Sequence, residues 1–282
     1  MRHADAQAPD LIRHPSFRRY RIIGRQSRTM WWWRNAYLKL GIVPADADVG
    51  IDWQGRDAGL VIDGPITIET TFYLGWASFE VSHEHGEVLA YVVNSPGGSV
   101  FQAELIAHDM YKTATPIIIF SGSVCASACF LLLAAARIKM ISPDAAIGIH
   151  SARTPGIGED RDALAATAEM AKQAAAYGIP DAIIGKLVRT PPDDLSVLTP
   201  DEIRTIPGAT VAQSRDFRSM TKSAVPVDKY LAGYGAGAYI AAGKSNYAGC
   251  NFPTPAFQAG CLKGLRDAPP EGWARTLPSF QK

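Results

Sequence analysis

Short apolar runs alternate with stretches of helical period through the middle of the chain. "LVIDGPI" (60–66), "VLAYVVN" (88–94), "PIIIF" (116–120) and "AAIGIH" (145–150) are rich in β-branched residues and bounded by Gly, Pro or Asn, so each is predicted to be a strand. Between them, helices are predicted near 99–112 and 127–138. Residues 161–177, "RDALAATAEMAKQAAAY", predict another helix, ended by Gly178 and Pro180. Strands regularly interleaved with helices argue for an α/β fold.

The pattern divides the chain into three parts. Residues 1–55 form a basic, Trp-rich N-terminal extension containing "FRRYRIIGR" and "TMWWWRNAYLKLGI", with Asp5 and Asp10 as its acidic residues before Asp46. Residues 56–208 hold the alternating pattern and the candidate chemistry, and residues 209–282 form a Gly/Tyr/Pro-rich C-terminal extension without strong periodicity. Trp31, Trp32 and Trp33 beside arginines suit a membrane interface or stacking on nucleic-acid bases. Three consecutive positions cannot all face one side of a helix, which favours packing on the core or on a neighbouring subunit.

Composition narrows the classes. With 282 residues and 47% apolar content the chain buries a substantial core as one or two domains. Its 28 Lys and Arg balance 27 Asp and Glu, so there is no strong nucleic-acid signal and no call for an acidic partner. No apolar run reaches the roughly 18 residues of a membrane span, because 115–136 is broken by "SGSVCAS". The beginning "MRHADAQAPDLIRH" shows no apolar h-region after its basic residues, so no secretory leader is visible, and the compartment stays open between the cytoplasm and, if a leader was removed, the periplasm.

Four cysteines fall into two pairs, Cys125 with Cys129 and Cys250 with Cys261, and neither has the C-x-x-C spacing of a zinc ribbon, so no metal is expected. Four residues apart, the first pair fits small buried residues on one helical face. The second pair lies in "NYAGCNFPTPAFQAGC" and suits a disulfide in an oxidising compartment.

The chemistry converges on "SGSVCASACFLLLAAA" (121–136). Ser127 follows the strand "PIIIF" and precedes an apolar helix, so free N–H groups and the positive end of the helix dipole would stabilise an oxyanion formed by attack of its hydroxyl on a carbonyl. A bare helix-capping serine is the alternative. "NSPGG" (94–98) ends a strand just before a helix; Gly97 and Gly98 let the backbone come close to a ligand and aim an N–H at a carbonyl oxygen, although Pro-Gly-Gly also serves as a plain turn. His150 ends the strand "AAIGIH", where a base would take the serine proton and pass it to a leaving amine. His83, His85 and His108 lack such a setting and are read as surface or packing residues.

In this order, "NSPGGSV", a helix, then "PIIIFSGSVCASACFLLLAAARIKMISPDAAIGIHSA" resembles the Clp protease proteolytic subunit family, and most closely bacterial Clp-like serine peptidases with a "CASAC" box. The resemblance covers about residues 58–208. It implies the crotonase/Clp-protease-like ββα superhelix, here with N- and C-terminal extensions. It also implies Ser127 as nucleophile, His150 as base, and an oxyanion hole from Gly98, with Gly97 beside it, and the N–H of Ala128. The family's aspartate precedes a motif that "LTPDEIRTI", starting at Leu198, resembles; Asp194 is favoured, with Asp193 and Asp201 as alternatives.

Further expectations follow from the resemblance. The substrate is a peptide or protein held by strand addition, the chain is a homo-oligomer, and no cofactor is needed. No G-x-x-x-x-G-K-[ST] loop occurs, so ATP-driven unfolding would belong to a separate ATPase partner. A non-catalytic scaffold is the rival reading, opposed by the intact Ser127 and His150. A crotonase-like acyl-CoA enzyme is a second, opposed by the same pair. The alanine-rich segment Glu159 to Tyr177 offers little apolar area, so self-association is expected to depend on residues 1–55 or 209–282 rather than on that helix.

Overall fold

The computed structural model describes residues 48–154, 156–213, 224–241 and 249–267; the expectations for Trp31, Trp32 and Trp33 lie outside the described residues. The described strands are β1 (Asp48–Gln54), β2 (Asp57–Asp63), β3 (Val88–Asn94), β4 (Ile117–Ile119), β5 (Val124–Ala126), β6 (Lys139–Ile141), β7 (Ala146–Ile149), β8 (Ser196–Val197), β9 (Ala209–Val211) and β10 (Val225–Pro226). The described helices are α1 (Ile68–His83), α2 (Val100–Thr113), α3 (Cys129–Ala135), α4 (Arg161–Ala176), α5 (Asp181–Arg189), α6 (Pro200–Arg204), α7 (Lys229–Ala241) and α8 (Pro255–Arg266).

Two sheets share the strands. The larger has the order β10-β1-β2-β3-β4-β6-β9 and the smaller the order β5-β7-β8. From β2 to β9 every pair in the large sheet is parallel, which requires crossovers and covers both faces. That is why "VLAYVVN" is an unbroken apolar run: from Ala90 to Asn94 β3 is buried without alternation. Each crossover gives one strand to the large sheet, a shorter stretch to the small sheet, and returns through a helix. Isolated parallel bridges Ile66↔Gly98 and Ser95↔Cys125 continue the small layer past β5. α3 is apolar on all sides and wholly buried, as a helix through the middle of a core must be.

Strands on both sides of residues 56–208 complete the large sheet. β1, which begins at Asp48 within the segment assigned to the N-terminal extension, pairs antiparallel with β2 along its whole length. β9 closes one edge of the large sheet and β10 the other, although both lie beyond residue 208. In the Gly/Tyr/Pro-rich segment, α7 and α8 pack as a hairpin that docks on α1. Phe252 and Phe257 meet Phe72 edge-on and tilted, at ring-centroid distances of 5.9 and 5.7 Å. The fully buried Glu69 carboxylate accepts hydrogen bonds from the Thr254 amide (3.1 Å), the Thr254 hydroxyl (2.6 Å) and the Tyr73 hydroxyl (3.2 Å). A buried carboxylate is tolerated only with such partners, so the tail is tied to the body by polar as well as apolar contacts.

Candidate active site

Three segments meet at the C-terminal ends of neighbouring parallel stretches. β5 and β7 run side by side with Ala126 opposite Gly148, and the Ser127 amide donates to the Gly148 carbonyl at 2.9 Å. Ser127 therefore stands one residue past the end of β5, and His150 one residue past the end of β7. On the other flank Ser95 pairs with β5: its amide donates to Val124 O (2.7 Å), and the Ala126 amide donates to Ser95 O (3.0 Å). The loop Ser95–Gly98 is thus fixed beside the serine.

Ser127 adopts a left-handed backbone, φ +55°, between the strand and the helix. An L-residue there is strained, and such a conformation persists where the surrounding structure holds it. The turn reverses the chain within two residues and leaves the serine half-exposed at the head of α3.

Gly97, at φ +98°, shows why the loop has no side chain at this point. A Cβ on Gly97 would lie 2.5 Å from Ala126 O, 2.6 Å from Ser127 Cβ and 3.0 Å from the Ala128 amide. The glycine backbone thus touches both the serine and the first turn of the helix. Gly98, at φ +146°, is clamped to Ile66, whose amide donates to Gly97 O (2.8 Å) and whose carbonyl accepts from Ser99 (2.9 Å). Among the described residues, the N–H groups of Gly98 and Ala128 donate to no backbone carbonyl. An N–H not spent on the main chain is what a developing oxyanion requires of its donors.

His150 is buried, with 6% of the residue's surface exposed. Its Nδ1 lies 2.7 Å from the Ser151 carbonyl. A carbonyl only accepts, so in the neutral ring the proton sits on Nδ1 and the lone pair on Nε2. Nε2 is buried and has no hydrogen-bond partner. Burial pushes the imidazole below its ordinary range, the bond to Ser151 opposes this, the Arg153 guanidinium lowers it further, and Asp193 raises it.

None of the three carboxylates expected to orient the ring forms a hydrogen bond to it, although Asp193 is near enough to act on it electrostatically. Asp194, the favoured one, is exposed in the turn where its own amide donates to Pro191 O (3.0 Å), and it forms no hydrogen bond or ion pair with His150. Asp193 pairs with Arg153 at 3.0 Å, and Asp201 with Arg204 at 2.6 Å. The ring is held instead by the main-chain carbonyl of its neighbour, a partner available to any residue type and so without a sequence signature. Arg153, three positions after His150, reads in the sequence as a surface cation, and its bond to Asp193 appears only in the fold.

Cys125 and Cys129 also differ from expectation. They do not share a helical face. Cys125 lies in β5 and Cys129 opens α3, and they form a disulfide across Ser127 with a Cα–Cα distance of 5.3 Å. A second disulfide joins Cys250 to Cys261. Among the described residues no cluster of three His, Cys, Asp or Glu is placed to hold a metal ion, and no helix is long and apolar enough to cross a membrane.

Residues 78–176 match the family model described as Clp protease. Over this segment the chain is similar to the Clp protease family. The match runs from the last turns of α1 to the end of α4, taking in the glycine loop, Ser127 and His150 and stopping before Asp194. Among solved structures, ClpP1 from Listeria monocytogenes is similar at 21% identity over 56% of this chain and 92% of that one, with a TM-score of 0.43. A mutant of the 1510-N membrane-bound stomatin-specific protease is similar at 20% identity over 58% of this chain and 81% of that one, with a TM-score of 0.41. No curated protein matches. The β1–β2 pair, the α7–α8 hairpin and the Asp193–Asp194 turn all lie outside the matched residues.

Proposed function

We propose that the protein is a serine peptidase that hydrolyses peptide bonds through an acyl-enzyme on Ser127. The observation that carries this reading is a buried, neutral imidazole whose Nδ1–H is held by Ser151 O and whose Nε2 is unpartnered, one residue beyond the strand that flanks the serine. Nε2 takes the Ser127 proton as Oγ attacks the scissile carbonyl, and the N–H groups of Gly98 and Ala128 hold the oxyanion. Nε2 then gives its proton to the leaving amine, and water admitted in its place releases the acyl group by the same steps in reverse. Catalytic hydrogen bonds are often long in unliganded sites and tighten with substrate, which accommodates the open Nε2.

Peptide or protein is the substrate class, and a homo-oligomer is the working state, both following from the Clp protease family. An orienting carboxylate is still required to stabilise the imidazolium. Asp193 and Asp194 are adjacent in one exposed turn, and either would have to displace the Ser151 carbonyl from Nδ1 to take that role.

A serine-directed phosphonate tests the reading. The wild type should be labelled at Ser127, Ser127→Ala should lose the label, and His150→Ala should slow it by about 10²- to 10⁴-fold. Labelling of Ser127→Ala at the wild-type rate places the nucleophile elsewhere, and a folded wild type that neither labels nor cleaves any peptide returns the chain to the scaffold reading.

A further inference from the structure

Two oxyanion donors and the nucleophile sit on different segments. Gly98 belongs to the glycine loop, Ser127 to the turn after β5, and Ala128 to the head of α3. Backbone hydrogen bonds through Ser95 tie the glycine loop to β5. Between β5 and α3 the chain has the left-handed Ser127, which must be held against its own preference. The helix head contributes the Phe130 amide to Ser127 O (2.9 Å) and the Leu131 amide to Ala128 O (3.1 Å), short bonds within the first turn that do not reach back to the strand. A covalent link makes that connection: the Cys125–Cys129 disulfide joins the strand leg to the helix leg and encloses Ala126, Ser127 and Ala128.

We propose that Cys125 and Cys129 are positioning residues for the Ser127 reaction. Their disulfide fixes the left-handed turn so that the hydroxyl and the Ala128 N–H face the same point as Gly98. The proposal rests on the reading of Ser127 as nucleophile. Cys125 and Cys129 are fully buried, and β5 is joined to its neighbours on both sides, so the bond closes a frame around the site. It forms when the thiolate of one cysteine attacks the disulfide of a donor of that class and the second thiolate displaces the donor sulfur. Two electrons and two protons leave the protein, and the donor departs as its dithiol. A dithiol reductant reverses each step. Cys250–Cys261, which staples the loop before α8 to that helix, serves as the internal control.

The test compares phosphonate labelling of the full chain in three forms, each well below its melting temperature. Cys125→Ala/Cys129→Ala should label about 10- to 100-fold more slowly, the loss expected when reacting groups shift by a fraction of an ångström to an ångström. The midpoint of its pH profile should stay where the wild type has it, because Ser151 still holds His150. Cys250→Ala/Cys261→Ala should label at the wild-type rate even where its melting temperature falls. Equal slowing of both variants, or a Cys125→Ala/Cys129→Ala protein that labels as fast as the wild type, overturns the proposal. Should that variant not fold, wild type reduced by dithiothreitol and shown by alkylation and mass spectrometry to carry free Cys125 and Cys129 decides the matter. Labelling lost there and regained on reoxidation supports the positioning role, and labelling retained overturns it. Failure of the oxidised wild type to label at all would instead defeat the Ser127 reading, and the proposal with it.

Discussion

Burial, reinforced by the Arg153 guanidinium, keeps the His150 imidazole neutral to lower pH than an ordinary histidine near 6.5, with the Ser151 bond and Asp193 acting the other way. A general base must be neutral, so the acid limb of the activity profile is expected below that value. Arg153→Gln removes a cation and frees Asp193, and both effects raise the midpoint. Asp193→Asn removes an anion and frees Arg153, and both lower it. Phosphonate labelling rates measured across pH check the two signs, and a downward shift in Arg153→Gln would refute this account of the ring. The same depressed value makes the folded state refuse a proton that the unfolded chain accepts. Stability is therefore lost as pH falls through the unfolded value, until the folded ring is protonated too. Gly97 gives a second prediction. An alanine there brings a methyl group to 2.6 Å from Ser127 Cβ, so labelling should fall about 100-fold, by displacement of the reacting group. Retention of full activity would remove Gly97 from the site. The sequence marks Ser127, His150 and the Gly-Gly loop because each breaks or ends an apolar run. It does not mark the Ser151 carbonyl, since main-chain partners carry no residue identity, and it gives two adjacent aspartates no way to be told apart.

Helices α1 and α7 show where pattern reading loses its footing. "IETTFYLGWASFEVSH" contains β-branched and aromatic residues that favour strands, and it is buried through Glu69 to Gly75 without a polar face, so no helical period shows. It is a helix because Thr67 caps it, its side chain accepting from the Thr70 amide, and because α7, α8 and the sheet cover it. Gly233, Gly235 and Gly237 argue against a helix at α7 on intrinsic grounds. Gly233 and Gly237 are required by contact. A Cβ on Gly237 would lie 2.0 Å from Cys261 O, and one on Gly260 of α8 would lie 2.0 Å from Tyr230 O. The two helix backbones touch, with a disulfide holding α8 to the loop before it. Gly237→Ala should therefore destabilise by roughly 1–3 kcal/mol through overpacking, although alanine is the better helix former. Thermal melting measures this. A rise in melting temperature would show that propensity outweighs the contact. Strands β3, β4 and β7, by contrast, were legible because parallel strands buried on both faces leave short continuous apolar runs.

Assembly belongs to the whole molecule, and the faces left open by the fold bear on it. α4 turns Ala163, Thr167, Met170 and Ala174 inward, and its outward side carries Arg161, Asp162, Lys172 and one large apolar residue, Leu164. Such a face buries little apolar area against a second copy, at about 25 cal/mol per Å². The α7–α8 hairpin is partly spent on its contact with α1, yet it leaves Tyr230, Leu231 and Leu262 each more than two-fifths exposed. We expect the protein to self-associate, and the hairpin to matter more than α4. Leu231→Glu/Leu262→Glu should shift the mass measured by light scattering toward the single chain, whereas Leu164→Glu should leave it unchanged. A chain beginning at Asp48, which keeps β1 in the sheet, separates the contribution of residues 1–47: if that chain alone falls apart, the N-terminal segment carries the contact. The opposite result, loss of assembly in Leu164→Glu with both other forms intact, would assign the interface to α4. A wild type that is monomeric throughout would rule out self-association altogether, leaving the site at Ser127 to act within one chain.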